Sequence, residues 1–151
     1  MKNFFLFDPL LLLYGFLIIF FASYGQTFFI AIFNNDIKNY YNLTDGQFGL
    51  VYALSTILSS ILLVNFAKLI DFIDLRVYSI IITIGLLIPC IAIYFFSSNV
   101  FYLFVILFGL RFFGQGAMTH AGITSMTRYF GKDKGKAISV GNLGGMFGVM
   151  I

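Results

Sequence analysis

The sequence has no glutamate and no tryptophan, a single cysteine, a single histidine, two prolines, and only six acidic and nine basic residues among 151. Each shortage excludes something. A soluble domain carries about 25% charged residues; this chain carries 10%, beside 60% hydrophobic residues and a mean hydropathy of +0.98. So few charges cannot solvate a globule of this size. A lone Cys90 rules out a disulfide scaffold. One histidine with one cysteine cannot build a metal cluster, so neither a metal nor a cofactor is expected. The net charge of +3 forms no patch that could track phosphates, which excludes nucleic acid as a partner. What remains is an all-α, polytopic integral membrane protein with the lipid bilayer as its solvent.

A membrane span needs about 20 mostly apolar residues. Four stretches meet that length: Leu10–Asn34, Gln47–Phe66, Val77–Phe96 and Phe101–Thr127. A fifth run opens near Ala137 and stops at Ile151, too short to cross, and no stretch reads as a soluble domain. Asp8-Pro9 suits a helix start, because proline is tolerated in the first turn. Thr44-Asp45-Gly46-Gln47 has the spacing of a capping box at the entrance to span two. Tyr40, Tyr41, Tyr78, Tyr94, Tyr102 and Tyr129 fall near span ends, where an amphipathic ring rests at headgroup level. The N-terminal run is long for a signal sequence and lacks a small-residue cleavage site, so we read it as an uncleaved first span.

Lysine and arginine concentrate on one side of the bilayer. Lys2, Lys68, Arg76, Arg128, Lys132, Lys134 and Lys136 oppose Lys38 alone. The positive-inside rule then places the N-terminus and the 68–76 and 128–136 loops in the cytoplasm, in a plasma (inner) membrane. Asn42-Leu43-Thr44 matches a glycosylation sequon on the outer side, but a helix cap in a short loop is the simpler account. A helix started at Ala137 would end in mid-bilayer with unpaired carbonyls. The sequence therefore reads as the first part of a longer chain, and the missing C-terminal half is an expected partner.

Two ionisable side chains lie deep in a span, Arg111 and His120, both in span four. Such groups are costly and tend to mark function. At about 100° per residue, Arg111, Gln115, Met118, Gly122 and Ser125 share one stripe, with His120 pointing the other way beside Gly116 and Thr127. In span one, Ser23, Gln26, Thr27, Ile30 and Asn34 share a face. Gln26 and Arg111 stand at about the same depth, roughly 5 Å outward of the midplane. These positions predict a polar cavity between spans one and four, with Arg111, Gln115, Gln26 and Thr27 along the substrate path. His120 is expected in an interhelical hydrogen bond, and Ser55, Thr56 and Ser59 in close helix packing. Nothing points to an enzyme: no Ser-His-Asp set shares a depth, and the Gly141–Gly148 run lacks the lysine and strand of a phosphate loop. That run suits close approach of two helices.

The chain resembles the start of a major facilitator superfamily transporter over essentially its whole length. The loop Ala67-Lys68-Leu69-Ile70-Asp71-Phe72-Ile73-Asp74-Leu75-Arg76 is similar to the signature G-x-L-x-D-R-x-G-R-R, matching at Leu69, Asp71 and Arg76. Arg111-Phe112-Phe113-Gly114-Gln115-Gly116 is similar to the Arg-x-x-x-x-Gly signature of span four. Tyr129 to Ala137 resembles the W-F-x-x-x-R-G-x-A run of monocarboxylate and oxalate–formate type members, with Tyr for Trp and Lys for Arg. The resemblance implies twelve spans, of which four and part of a fifth are here. It also implies an inner gating loop with Asp71 and Arg76, and a coupling or substrate role for Arg111. Inverted repeats in this family would superpose span one on span four, and Tyr24-Gly25-Gln26-Thr27 echoes Phe113-Gly114-Gln115-Gly116.

The expected function is alternating-access secondary transport. The solute is a small molecule, with organic anions such as monocarboxylates suggested by Arg111, and coupling to a proton or another ion. The competing expectation is a small helical membrane protein acting as an assembly subunit or oligomeric pore, which predicts a natural stop after Ile151.

Overall fold

The computed structural model describes residues 8–95 and 99–150. Lys2 of the charge count, the expected end of span three at Phe96, and Ile151 lie outside them. Among the described residues the regular structure is entirely helical: α1 (Pro9–Ala22), α2 (Thr27–Ile32), α3 (Asn34–Tyr41), α4 (Asp45–Phe66), α5 (Leu75–Ala92), α6 (Val100–Gly109), α7 (Thr119–Tyr129) and α8 (Lys134–Met150). A wide-turned π-helical segment, Leu110–Met118, joins α6 to α7. By length and apolarity four helical stretches can cross a membrane, Pro9–Ile32, Asp45–Asp71, Leu75–Ala92 and Val100–Tyr129.

Local chemistry sets the helix ends. The Asp8 carboxylate accepts from the Leu11 amide at 3.0 Å, and Pro9 occupies the first helical position. At the start of α4 the capping box is complete: the Gln47 amide donates to Thr44 Oγ1 at 3.3 Å, and the Thr44 amide donates to Gln47 Oε1 at 2.9 Å. Asn42 ends α3 in the left-handed region (φ 52°), which asparagine tolerates better than other side-chain-bearing residues. Lys38 and Asp45 form an ion pair across that loop.

Span one is not the continuous helix expected over Leu10–Asn34. After α1 the chain tightens into a 3-10 turn at Ser23–Gly25 and extends at Gln26 (φ −79°, ψ 153°) before α2 begins. The turn lies against span four, so closely that a Cβ on Gly25 would stand 2.1 Å from the Leu110 carbonyl oxygen. On the other flank of α1, α8 packs through glycines. A Cβ on Gly144 would lie 2.0 Å from the Phe16 carbonyl oxygen, and one on Gly148 2.1 Å from Ser23 Oγ. In the membrane such small-residue contacts, not hydrophobic exclusion, hold helices together.

The core is built where α1, α5 and span four meet, with Ile18, Ala22, Ile82, Leu86, Leu110 and Ala117 buried in one cluster. Phe113 seats on Gly85, where a Cβ would be 2.4 Å from its ring. Leu50, Leu54, Ile57 and Ile61 of α4, and Ile80, Ile84 and Ile88 of α5, face outward and exposed, as lipid-facing side chains must. Tyr78 departs from the expected interfacial set. It is fully buried, with its ring 5.6 Å from that of Phe66, because α5 turns that face toward the core. Tyr41 is buried too, and the half-buried Tyr102 donates its hydroxyl to the terminal Ala92 carbonyl of α5 at 2.9 Å. Tyr40, Tyr94 and Tyr129 are exposed.

Candidate functional site

Arg111 enters the bundle from the first turn of the π-helical segment and is only 8% exposed. Its guanidinium is held by neutral oxygen acceptors from two other spans. Nε donates to Thr56 Oγ1 at 3.2 Å; Nη1 donates to Thr27 Oγ1 at 3.1 Å and to the Gly25 carbonyl at 3.3 Å. The Thr27 and Tyr52 hydroxyls are bonded to each other at 2.8 Å, and the cation stands 5.1 Å over the Tyr52 ring. The break in span one thus presents the Gly25 carbonyl to the arginine. A guanidinium has five N–H donors, and both donors of Nη2 lack a protein acceptor among the described residues.

Beside the guanidinium lies a cavity of about 410 Å³, walled by Thr56, Ser59, Ser60 and Leu63 of α4 and by Arg111, Gln115, Gly116, Thr119, His120, Ile123 and Thr124 of span four. No carboxylate is among these walls. The charge of Arg111 is met by dipoles and a ring face, with no anion. A second hollow of about 490 Å³, between α2–α3 and the outer ends of α5 and α6, is apolar apart from Asp36 and tyrosines at its edge. It offers no comparable chemistry.

The site differs from the sequence expectation in three ways. Its cavity opens between spans two and four, not one and four. Span one supplies Thr27 and the Gly25 carbonyl to Arg111, while Gln26 is half-buried, makes no side-chain hydrogen bond and does not line the cavity. Second, His120 lines the same cavity as Arg111 and Gln115. In a uniform α-helix Arg111 and His120, nine apart, would face opposite ways. The i→i+5 bonding of a π segment widens each turn, so each residue advances by less than 100° and His120 lags round to the arginine's side. The same lag carries Gly122 and Ser125 off the expected stripe and into packing: a Cβ on Gly122 would lie 2.5 Å from Ile19, and Ser125 is buried. Third, His120 makes no interhelical hydrogen bond among the described residues. Its Nε2 meets Thr124 Oγ1 of its own helix at 3.4 Å.

The serine–threonine stripe of α4 divides in two. Ser55 does the packing expected of it, donating to the Val51 carbonyl at 2.8 Å and to the Phe104 carbonyl at 3.2 Å. Thr56, assigned to packing from sequence, is the acceptor for Arg111 Nε.

At the cytoplasmic loop expected from the charge count, Asp71 Oδ1 accepts from Arg128 Nη2 at 2.5 Å, and Arg128 Nη1 also donates to the Ile70 carbonyl at 3.2 Å. Arg76, the other residue of the expected gating loop, is exposed and does not join them. The loop is therefore tied to the end of span four by Asp71, expected in the gating loop, and Arg128, which the sequence marked only as one of the cytoplasmic charges.

No group of His, Cys, Asp and Glu capable of holding a metal occurs among the described residues. No curated protein and no solved structure matches the chain significantly. The family model for the Major Facilitator Superfamily matches residues 15–151, taking in the greater part of span one and everything after it. By that match the chain belongs to the major facilitator superfamily of membrane transporters.

Proposed function

We propose that the chain forms the substrate-binding helices of an alternating-access carrier for small organic anions, with Arg111 as the anion anchor. One observation carries this reading: a buried guanidinium borders a polar cavity with no carboxylate in its wall and two Nη2 donors unused. A charge kept in a membrane at a cost of about 2.5–3.5 kcal/mol with only neutral partners is suited to an anionic guest. Gln115 and Thr27 flank it, and Asp71 and Arg128 tie the loop at the opposite end of span four. The Tyr129–Ala137 run, similar to that of monocarboxylate carriers, supports the same class. Closing the cavity requires a facing helical unit to rock against, and coupling to a proton or ion belongs to this reading. The membrane is the plasma (inner) membrane, with the Lys68–Arg76 and Arg128–Lys136 loops cytoplasmic.

The test is uptake of labelled pyruvate and succinate into proteoliposomes holding the protein expressed from its full reading frame. Arg111→Ala is expected to abolish uptake of whichever anion the wild type carries, at unchanged membrane abundance. Uptake equal to wild type would remove Arg111 from the path.

A further inference from the structure

The cavity has two chemically distinct ends. At one stands Arg111, with Thr56 beside it; at the other stand Thr119, His120 and Thr124. Its wall on α4 runs from Thr56 to Leu63, about 10 Å along the helix at about 1.5 Å per residue. The volume of about 410 Å³ falls within the 300–1,000 Å³ usual for small-molecule sites. An acid of one to three carbons would leave most of it unused.

The far end also holds unspent hydrogen-bonding capacity. His120 Nδ1 and Thr119 Oγ1 are both buried and have no hydrogen-bond partner. Neighbouring hydroxyls are already committed: Ser59 and Ser60 each donate to the Thr56 carbonyl at 2.8 Å. An unpaired polar atom covered by protein is costly. Thr119 and His120, both residues of the cavity wall, carry these covered atoms side by side, and a guest toward which the side chains turn completes their bonding. The one hydrogen bond of the imidazole among the described residues, to Thr124, is long at 3.4 Å, so rotation of the ring toward the cavity gives up little hydrogen bonding.

Building on the anion reading above, we propose that the cavity selects an elongated organic anion with hydrogen-bonding oxygen at both ends. One carboxylate sits on Arg111 Nη2, and a hydroxyl or second carboxylate sits at His120 and Thr119. The guest is thereby a longer molecule than a simple monocarboxylate, and His120 is a specificity-determining residue.

Binding to the purified protein in lipid nanodiscs tests this with three six-carbon acids that differ at one end: hexanoate, 6-hydroxyhexanoate and adipate. In the wild type the two oxygen-ended acids are expected to bind at least about tenfold tighter than hexanoate, because a polar site rejects an end that leaves it unpaired. His120→Leu and Thr119→Val should each shrink that preference to about threefold or less, while Arg111→Gln should weaken all three acids. A wild type that does not distinguish the acids overturns the two-ended site, as does a preference surviving in both His120→Leu and Thr119→Val. If Arg111→Gln binds all three as the wild type does, the anion reading itself falls. Thr119→Val, which replaces a side chain of the same shape, keeps the test valid where His120→Leu fails to fold.

Discussion

Gly25 and Gly114 touch: a Cβ built on Gly114 would lie 2.8 Å from the Cα of Gly25. The turn that interrupts span one and the wide turn that distorts span four therefore meet at one point, one residue from Gln26 and Gln115 of the two echoing motifs. Neither side chain could be larger than hydrogen. Arg111 bridges the same junction through the Gly25 carbonyl, so the irregular backbone and the buried charge form one structural unit.

Alanine at either glycine meets backbone atoms that cannot move aside. Gly25→Ala and Gly114→Ala are each expected to cost about 1–3 kcal/mol, as overpacking does, and to lower the melting temperature in detergent. The double variant should cost less than the sum, because one displacement relieves both clashes. Gly46→Ala, where a Cβ meets open space, should be neutral or stabilising by about 0.4–1 kcal/mol.

Tyr52 holds the arginine in two separable ways. Tyr52→Phe removes the bond to Thr27 but keeps the ring, and should cost about 0.5–1.5 kcal/mol. Tyr52→Leu also removes the cation–π contact, adding about 0.5–2 kcal/mol. Thermal unfolding of the two variants side by side measures the difference; equal losses would mean the ring face contributes nothing.

Spans, caps and glycine packing could be read from the sequence because they depend on residues near in sequence or on composition. Asp8-Pro9, the Thr44–Gln47 box and the Gly141–Gly148 run each carry their own local physics. The site was less legible, because it depends on phase. Phase holds only along a uniform helix, and the π segment, which no residue type announces, moves His120 into the cavity and Gly122 out of it. The turn at Ser23–Gly25 was equally hidden, since its packing partners, Leu110 and Gly114, lie far along the chain in span four. Polar partners across spans, Thr56 for Arg111 and Arg128 for Asp71, are contacts between residues 55 and 57 positions apart. No periodicity within one segment encodes them.

The Asp71–Arg128 pair is largely exposed, with side-chain exposures of 61% and 39%. A double-mutant cycle with Asp71→Asn and Arg128→Gln should give a coupling of about 0.2–1 kcal/mol in low salt, weakening as ionic strength rises. Arg128→Gln alone should be the more destabilising single change, because it also loses the bond to the Ile70 carbonyl. A coupling well above that range would show the pair to be a stronger tie than its exposure allows.

Topology can be read with a single label. Cys90 is the one cysteine, so a Cys90→Ala background makes each added cysteine unique. An impermeant maleimide should label Asn39→Cys in intact cells and Lys132→Cys only after the membrane is opened. The reverse pattern would invert the proposed orientation.

The packing of α1 on α8 has a consequence for how the protein is made. Phe16 and Ser23 emerge from the ribosome long before Gly144 and Gly148, the residues that seat against them. During synthesis α1 must wait with its glycine-fitted surface uncovered until α8 arrives. Insertion and assembly are thus separate events in time, and a nascent chain halted after the fourth crossing would be threaded correctly yet still lack the partner that seats its first helix.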